Sequence, residues 1–430
     1  MTDQLTPPKP TEDELSRVAK AKSEIMAGGA VTENLTEDEL AGGWKGALSM
    51  LGIVALFAWL GFANFWIFVF VVGVVVSIFL HELGHYLTAR WTGMKVTQFF
   101  LFFGPRLWSF RRGETEYGVR SVPLGAFVRI IGMNRMDEVE PGDEARTYRQ
   151  KSFPRRLLVI SAGSIMHMLI AIVLLFGVYA IAGEESFSDG ARVSQLSVGG
   201  PADGAGVLPG DIVVSVDGAA IASPAELGEV IRTNQPDDSV VLGVLRNGEL
   251  VALMLTLGVN DNGDALAGIS SGSVFDTIDH SIPAAAGNAV TDIFPFAWES
   301  TKGVVKVLNP VNIISHVTGD NDDLSSRPTT LYGVAQVSDD VGESSGWAGM
   351  ILLLAVLNVF VGVFNMFPLL PLDGGHAAIA IYERVREAGR GSKQRYFADV
   401  ERLMPFAMGV VTVLVMLMFA GLYLDISQPL

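Results

Sequence analysis

The sequence predicts a polytopic α-helical membrane protein: four core transmembrane helices, a candidate extra helix ahead of them, and an α/β domain inserted outside the bilayer. Three observations carry this. Half of the 430 residues are hydrophobic and the mean hydropathy is positive, which is unusual for a soluble protein. Uncharged runs long enough to cross a bilayer recur along the chain. Between two of them the pattern switches to short β-rich runs punctuated by Gly, Pro and Asp.

Taken in order, residues 1–46 are polar and acidic, with Pro7, Pro8 and Pro10, and read as a cytosolic tail. Residues 47–80 hold no charged side chain. At a rise of about 1.5 Å per residue that run exceeds one crossing. It therefore divides into an extra helix over 47–63 and a first core helix over 64–90. Further core helices are expected over 157–182, 347–375 and 403–424. Residues 91–156 are a loop with a membrane-associated β-hairpin, and 376–402 a second loop. The inserted domain spans 191–258, and 259–346 is a linker whose amphipathic stretches suit the outer membrane surface. In the inserted domain, Pro209-Gly210-Asp211 and Asp217-Gly218 bracket a β-rich run, and Asn247-Gly248 is a hairpin turn.

Loop charge sets the orientation. Arg106, Arg111, Arg112, Arg120, Arg129, Arg155 and Arg156 crowd the first loop, and Arg384 and Arg386 lie in the second, whereas 183–346 is rich in Asp and Glu. By the positive-inside rule the loops are cytoplasmic and the inserted domain extracytoplasmic, in an inner or plasma membrane whose lipid is a standing partner. The net charge of -16 disfavours nucleic acid. Cysteine is absent, so disulfides, thiolate ligands and a thiol nucleophile are excluded. Any metal site must use His and carboxylates.

His81-Glu82-Leu83-Gly84-His85 has the spacing H-E-x-x-H at the end of the first core helix. Residues four apart share a helix face, so both imidazoles can reach one metal with Glu82 beside its water. Zinc with three protein ligands and an open position hydrolyses peptide bonds, and Glu82 is the candidate general base. Ionisable groups this close to a bilayer span are costly unless paired or bound to a cation. The third ligand should come from another span. In Asn365-Met366-Phe367-Pro368-Leu369-Leu370-Pro371-Leu372-Asp373-Gly374-Gly375 two prolines break an apolar helix, which membrane depth tolerates only where protein buries the backbone or a cavity meets it. Asp373 sits at that break, on the same cytoplasmic side as His81.

These residues resemble the bacterial site-2 proteases, regulated intramembrane zinc metalloproteases that carry a PDZ domain. Their hallmarks, H-E-x-x-H and N-x-x-P…P-L-D-G, are matched by His81, Glu82, His85, Asn365, Pro368, Leu372, Asp373 and Gly374. Phe103-Gly104-Pro105 and the run Pro123 through Gly125-Ala126-Phe127-Val128-Arg129 are also similar, and Gly200-Pro201-Ala202 before Pro209-Gly210-Asp211 looks like the PDZ domains of bacterial proteases. The resemblance implies Zn2+ held by His81, His85 and Asp373, with Glu82 as base. It implies that Asn365 contacts the substrate backbone and that Gly125, Ala126, Phe127 and Val128 pair with an unwound substrate. Asn358, one heptad before Asn365, fits substrate contact and interhelical hydrogen bonding equally. The implied reaction is cleavage within the transmembrane segment of a single-pass protein already trimmed outside, such as an anti-sigma factor. A different class, a membrane-tethered PDZ adaptor with a vestigial metal motif, would be expected to have lost Glu82 or Asp373, and both are present. The second core helix departs from the pattern: it reads Ala162-Gly163-Ser164-Ile165-Met166-His167 where the family often has Gly-Pro and Asn, which leaves His167 unassigned.

Overall fold

A computed structural model describes residues 44–133, 139–260, 263–321, 323–390, 396–398 and 400–429. The tail expected over 1–46 therefore falls almost wholly outside the described residues. Among those described, five helices are long and apolar enough to cross a membrane. They are α1 (Trp44–Ala63), α2 (Phe65–Trp91), α3 (Phe153–Ile181), a long helix Leu331–Asn365 and a last one, Met404–Ser427. The expected break between the first two is made by Asn64, whose side-chain oxygen accepts the Ile67 backbone N–H at 2.8 Å and caps α2.

The chain divides into two compact units, one of them Tyr179–Ala285 and the other formed by the flanking parts. The smaller holds a sheet of β3 (Glu184–Leu196), β4 (Ile212–Val216), β5 (Ala219–Ala220), β6 (Ser239–Arg246), β7 (Glu249–Thr256) and β10 (Ile269–Ile278), in the order β10-β3-β4-β6-β7 with β5 on β4. The short β8 (Gly258–Val259) and β9 (Ala265–Leu266) pair with each other. Two helices accompany it, α4 (Pro201–Gly204) and α5 (Pro224–Thr233). Val213, Leu242, Val244, Leu255 and Leu227 are buried in its core. Asn247 and Gly248 both have positive φ, as a type I′ turn between β6 and β7 demands. The unit reaches beyond 191–258 at both ends, because β3 starts at Glu184 and its whole length pairs with β10. The sequence pattern hides this: the outer strand is rich in Ser, and only a partner far along the chain makes it a strand.

In the larger unit, β1 (Val96–Arg112) and β2 (Thr115–Ile130) form the antiparallel hairpin expected after α2, with repeated register shifts that bend it. Its base packs on the helices: Met94, Val96 and Ile130 share a buried cluster with Tyr86 and Ala89 of α2 and Val159 and Ile160 of α3. After the sheet unit come α6 (Ile282–Thr291), α7 (Ile293–Val307), α8 (Pro310–Thr318), α9 (Leu331–Asn365), α10 (Asp373–Arg390) and α11 (Met404–Ser427). Helix α9 is divided at Gly346, whose φ of 60° and ψ of -142° suit only glycine, so its apolar half starts at Trp347. That half runs parallel to α2. Trp66 meets Trp347 with ring centroids 5.2 Å apart, and eleven residues further along each helix Ser77 meets Asn358. Helix α3 runs the other way, Gly163 lying against His81 and Val159 against His85.

Candidate metal centre

The apolar helix α2 buries His81 and His85, 9% and 7% exposed, one turn apart on one face. What lets α3 approach them is the absence of side chains. A Cβ on Gly84 would stand 2.7 Å from the Ala162 carbonyl oxygen. One on Gly163 would stand 2.3 Å from His81 Cε1 and 2.5 Å from His85 Nε2. Small residues at a helix crossing thus set the depth at which the imidazoles lie. His85 Nδ1 donates to the Val159 carbonyl at 2.7 Å, which leaves Nε2 as the unprotonated nitrogen of the neutral ring.

The carboxylate arrives from the other side. Helix α9 stops at Asn365, and the chain through Pro368 and Pro371 cannot continue it because proline lacks the N–H and clashes with the preceding turn. The loop folds tightly over the start of α10: a Cβ on Gly374 would lie 2.2 Å from the Phe367 carbonyl oxygen, and one on Gly375 2.7 Å from the Leu369 carbonyl carbon. Asp373 opens α10 and points between the imidazoles. Its Oδ2 is 3.5 Å from His81 Nε2 and 3.2 Å from His85 Nε2, and the two nitrogens are 3.2 Å apart.

Three lone-pair atoms at these separations are a physical problem without a cation. Asp373 Oδ2 is buried and makes no hydrogen bond of acceptable geometry. With metal bonds of about 2.0–2.1 Å, neighbouring ligand atoms of a tetrahedral zinc site stand about 3.3 Å apart, which is the spacing found. The donor set, two imidazoles and a carboxylate, is one that zinc takes in hydrolytic sites. The residues present fit the ion.

A cavity of about 250 Å³ opens on these three residues and is also bordered by Glu82, Phe127, Val128, Ile130, Met133, Asn365, Pro371, Leu372 and His376. Glu82 and Val128 border the cavity together. Phe127 is held from behind by stacking on Phe100 and Phe103, and the Arg120 guanidinium lies 4.9 Å from the Phe100 and Phe127 ring centres.

Of the residues singled out from sequence, His81, Glu82, His85, Asp373, Asn365, Phe127 and Val128 thus come together. Gly125 and Ala126 do not border the cavity. Gly125, with φ of 81°, bends β2 where a Cβ would strike the Phe103 ring at 2.5 Å, and Ala126 is 6% exposed opposite Leu101. Asn358 is 2% exposed and its amide is committed between helices, to Ser77, Leu354 and His167. Interhelical bonding, one of its two expected roles, is what its surroundings show. Sequence reasoning missed Gly163, which has no chemistry to notice, and Met133. His376 carried a signal, one turn after Asp373 on the same helix. His280 and His316 lie elsewhere, bonded to Glu184 at 2.7 Å and to Ser326 at 3.0 Å.

Comparison with known proteins shows the family. Residues 69–408 match the family described as Peptidase family M50. The zinc metalloprotease Rip1 of Mycobacterium tuberculosis is 30% identical over 397 residues, covering 85% of this chain and 98% of that one. A putative zinc metalloprotease of Fusobacterium nucleatum is 30% identical over 311 residues, covering 72% and 85%. Among solved structures, the PDZ domain of an SdrC-like protein from Listeria innocua covers 19% of this chain and 93% of its own, at 23% identity and a TM-score of 0.19.

Proposed function

Because the chain belongs to peptidase family M50, the site-2 protease family of zinc metalloproteases, we propose that it hydrolyses peptide bonds within transmembrane segments of single-pass membrane proteins. His81, His85 and Asp373 hold the zinc and Glu82 is the general base. The observation that carries this is the set of separations of 3.2–3.5 Å among three buried ligand atoms from helices nearly three hundred residues apart in sequence.

Zinc bound there supplies Lewis acidity towards water and the scissile carbonyl. Glu82, on the cavity wall beside the two ligands of its own helix, accepts the proton of the attacking water and delivers it to the departing amine nitrogen. Water adds to the carbonyl carbon, the C–N bond breaks, and the products are a carboxylate and an amine. A helical substrate shields its peptide bonds with its own hydrogen bonds, so it must be held extended. The Phe127–Val128 segment of β2 and the Asn365 amide are the backbone-binding groups on the cavity wall.

Helices α2, α3, the apolar half of α9 and α11 form the core set, and α1 is the addition ahead of it. By the positive-inside rule, the arginines of the β1–β2 hairpin support a cytoplasmic metal end of α2 and an extracytoplasmic sheet unit, which we read as a PDZ domain. A pre-trimmed anti-sigma factor is a substrate of the expected kind.

The test is cleavage of a model single-pass substrate by purified protein in detergent, together with its zinc content. Glu82→Gln should retain zinc while the rate falls about 10²–10⁴-fold. Cleavage by Glu82→Gln at the parental rate would remove the assignment.

A further inference from the structure

Metal-binding histidines are ordinarily oriented by a hydrogen bond to their second ring nitrogen. His85 has one, to the Val159 carbonyl. His81 has none of that quality: its Nδ1 is buried beside the Gly163 backbone without a hydrogen bond of acceptable geometry. Its ring is held by contact instead, with Gly163 against one edge and the His167 ring at a centroid distance of 4.9 Å, the planes inclined by 45°.

His167 is itself locked, and the lock can be read atom by atom. The Leu354 carbonyl can only accept, so the Asn358 atom 2.8 Å from it is Nδ2 whichever way the amide is drawn. Ser77 Oγ donates to the Gly73 carbonyl at 2.9 Å and so accepts the second Nδ2 proton at 3.0 Å. Both amide protons are spent, and Asn358 Oδ1 is left as an acceptor. His167 Nδ1, 2.8 Å away, must therefore carry a proton and donate it. A flipped ring would forfeit that bond and strand a buried oxygen. Packing adds a second restraint, since a Cβ on Gly362 would stand 3.1 Å from His167 Cβ, so α9 closes directly on this turn of α3.

We propose that His167 is a positioning residue for His81: the chain Gly73–Ser77–Asn358–His167 fixes the His167 ring, and that ring fixes the orientation of His81, whose Nδ1 lacks a well-formed hydrogen bond. The inference rests on the zinc reading above and deepens it. It gives a role to a buried histidine that the motif leaves out, and it explains why a buried amide and a buried imidazole are kept between three apolar helices, where unpaired polar groups are costly.

The experiment uses full-length protein in detergent and follows zinc release to a competing chelator, with the visible spectrum of the cobalt-substituted protein as an independent report on ligand geometry. His167→Ala should loosen zinc by about 10–100-fold, the usual effect of removing an orienting partner, and alter the cobalt bands. Asn358→Leu, which leaves both rings in place and cuts only the chain, should shift both readouts in the same direction by less. It serves as the deciding variant should His167→Ala not fold. If the parent holds no zinc that His81→Ala loses, the metal reading itself fails. If the parent does hold it and His167→Ala or Asn358→Leu releases it at the parental rate with unchanged cobalt bands, the positioning role is overturned and the metal site stands.

Discussion

Two aspartates that follow a proline by two residues have opposite surroundings. Asp211, after Pro209 in the sheet unit, is 2% exposed and fully served: Arg246 donates to both of its oxygens, at 2.8 and 2.6 Å, and the Leu208 N–H donates at 2.9 Å. The Arg246 guanidinium holds its carboxyl below the ordinary carboxylate range. Asp373, after Pro371 in the helical unit, has an oxygen buried between two imidazoles with no hydrogen bond of acceptable geometry. The first carboxylate is a structural tie, complete within the protein. The second is left incomplete, and a buried anion in that condition implies a ligand that completes it. Satisfaction, more than burial, separates structure from function here.

Four outcomes would break or sharpen that contrast. Asp373→Asn should bring zinc content and substrate cleavage below detection. With zinc stripped from both proteins its thermal stability should equal or exceed that of the parent, because an uncompensated buried charge has been removed. A clear drop in the metal-free stability would mean that Asp373 is a tie after all. Next in size, Gly163→Ala puts a methyl where the His81 ring now lies, so it should abolish tight zinc binding and cost about 1–3 kcal/mol of stability, measured by denaturation alongside metal analysis. Normal zinc affinity in that variant would show that α3 does not set the site.

Asp211→Ala should behave in reverse. It should destabilise the sheet unit by about 1–3 kcal/mol and leave zinc content unchanged, which calorimetry and metal analysis of the same preparation can decide. The smallest effect is in pH. Since the folded Asp211 carboxyl titrates below its unfolded value, its contribution is fully present above the ordinary aspartate pKa, about 3.9, and is lost as pH falls through the lowered folded value. The stability gap between the parent and Asp211→Asn should therefore be widest near neutrality and narrow in acid. A gap that stays constant below pH 4 would contradict the Arg246 tie.

Much of this was written in local pattern. The uncharged runs mark the helices, Asn247-Gly248 marks its hairpin, and four-residue spacing on a helix puts His81 and His85 on one face wherever the helix goes. The two prolines and two glycines around Asp373 mark a break before any contact is known. Other features have no local signature. The outer strand Ile269–Ile278 becomes a strand only by pairing with β3, and the compact unit outgrew its expected limits for that reason. Gly125 and Ala126 share a motif with Phe127 and Val128, yet a bend in β2 turns only the latter pair to the cavity.

The sequence by itself determined the membrane class, the candidate ligand-bearing side chains and the candidate base, and the places where helices stop, because each depends on composition or on spacing within a few residues. Tertiary structure decided the rest: that Asp373 meets the imidazoles, that Gly163 is the residue against which they rest, and that Asn358 and His167 bond to each other between helices. Those facts follow from how closely α2, α3 and α9 approach. That approach is set by the absence of side chains at a few crossings and by contacts between residues 74 to 292 apart in the chain, for which no local pattern in the sequence encodes the distance.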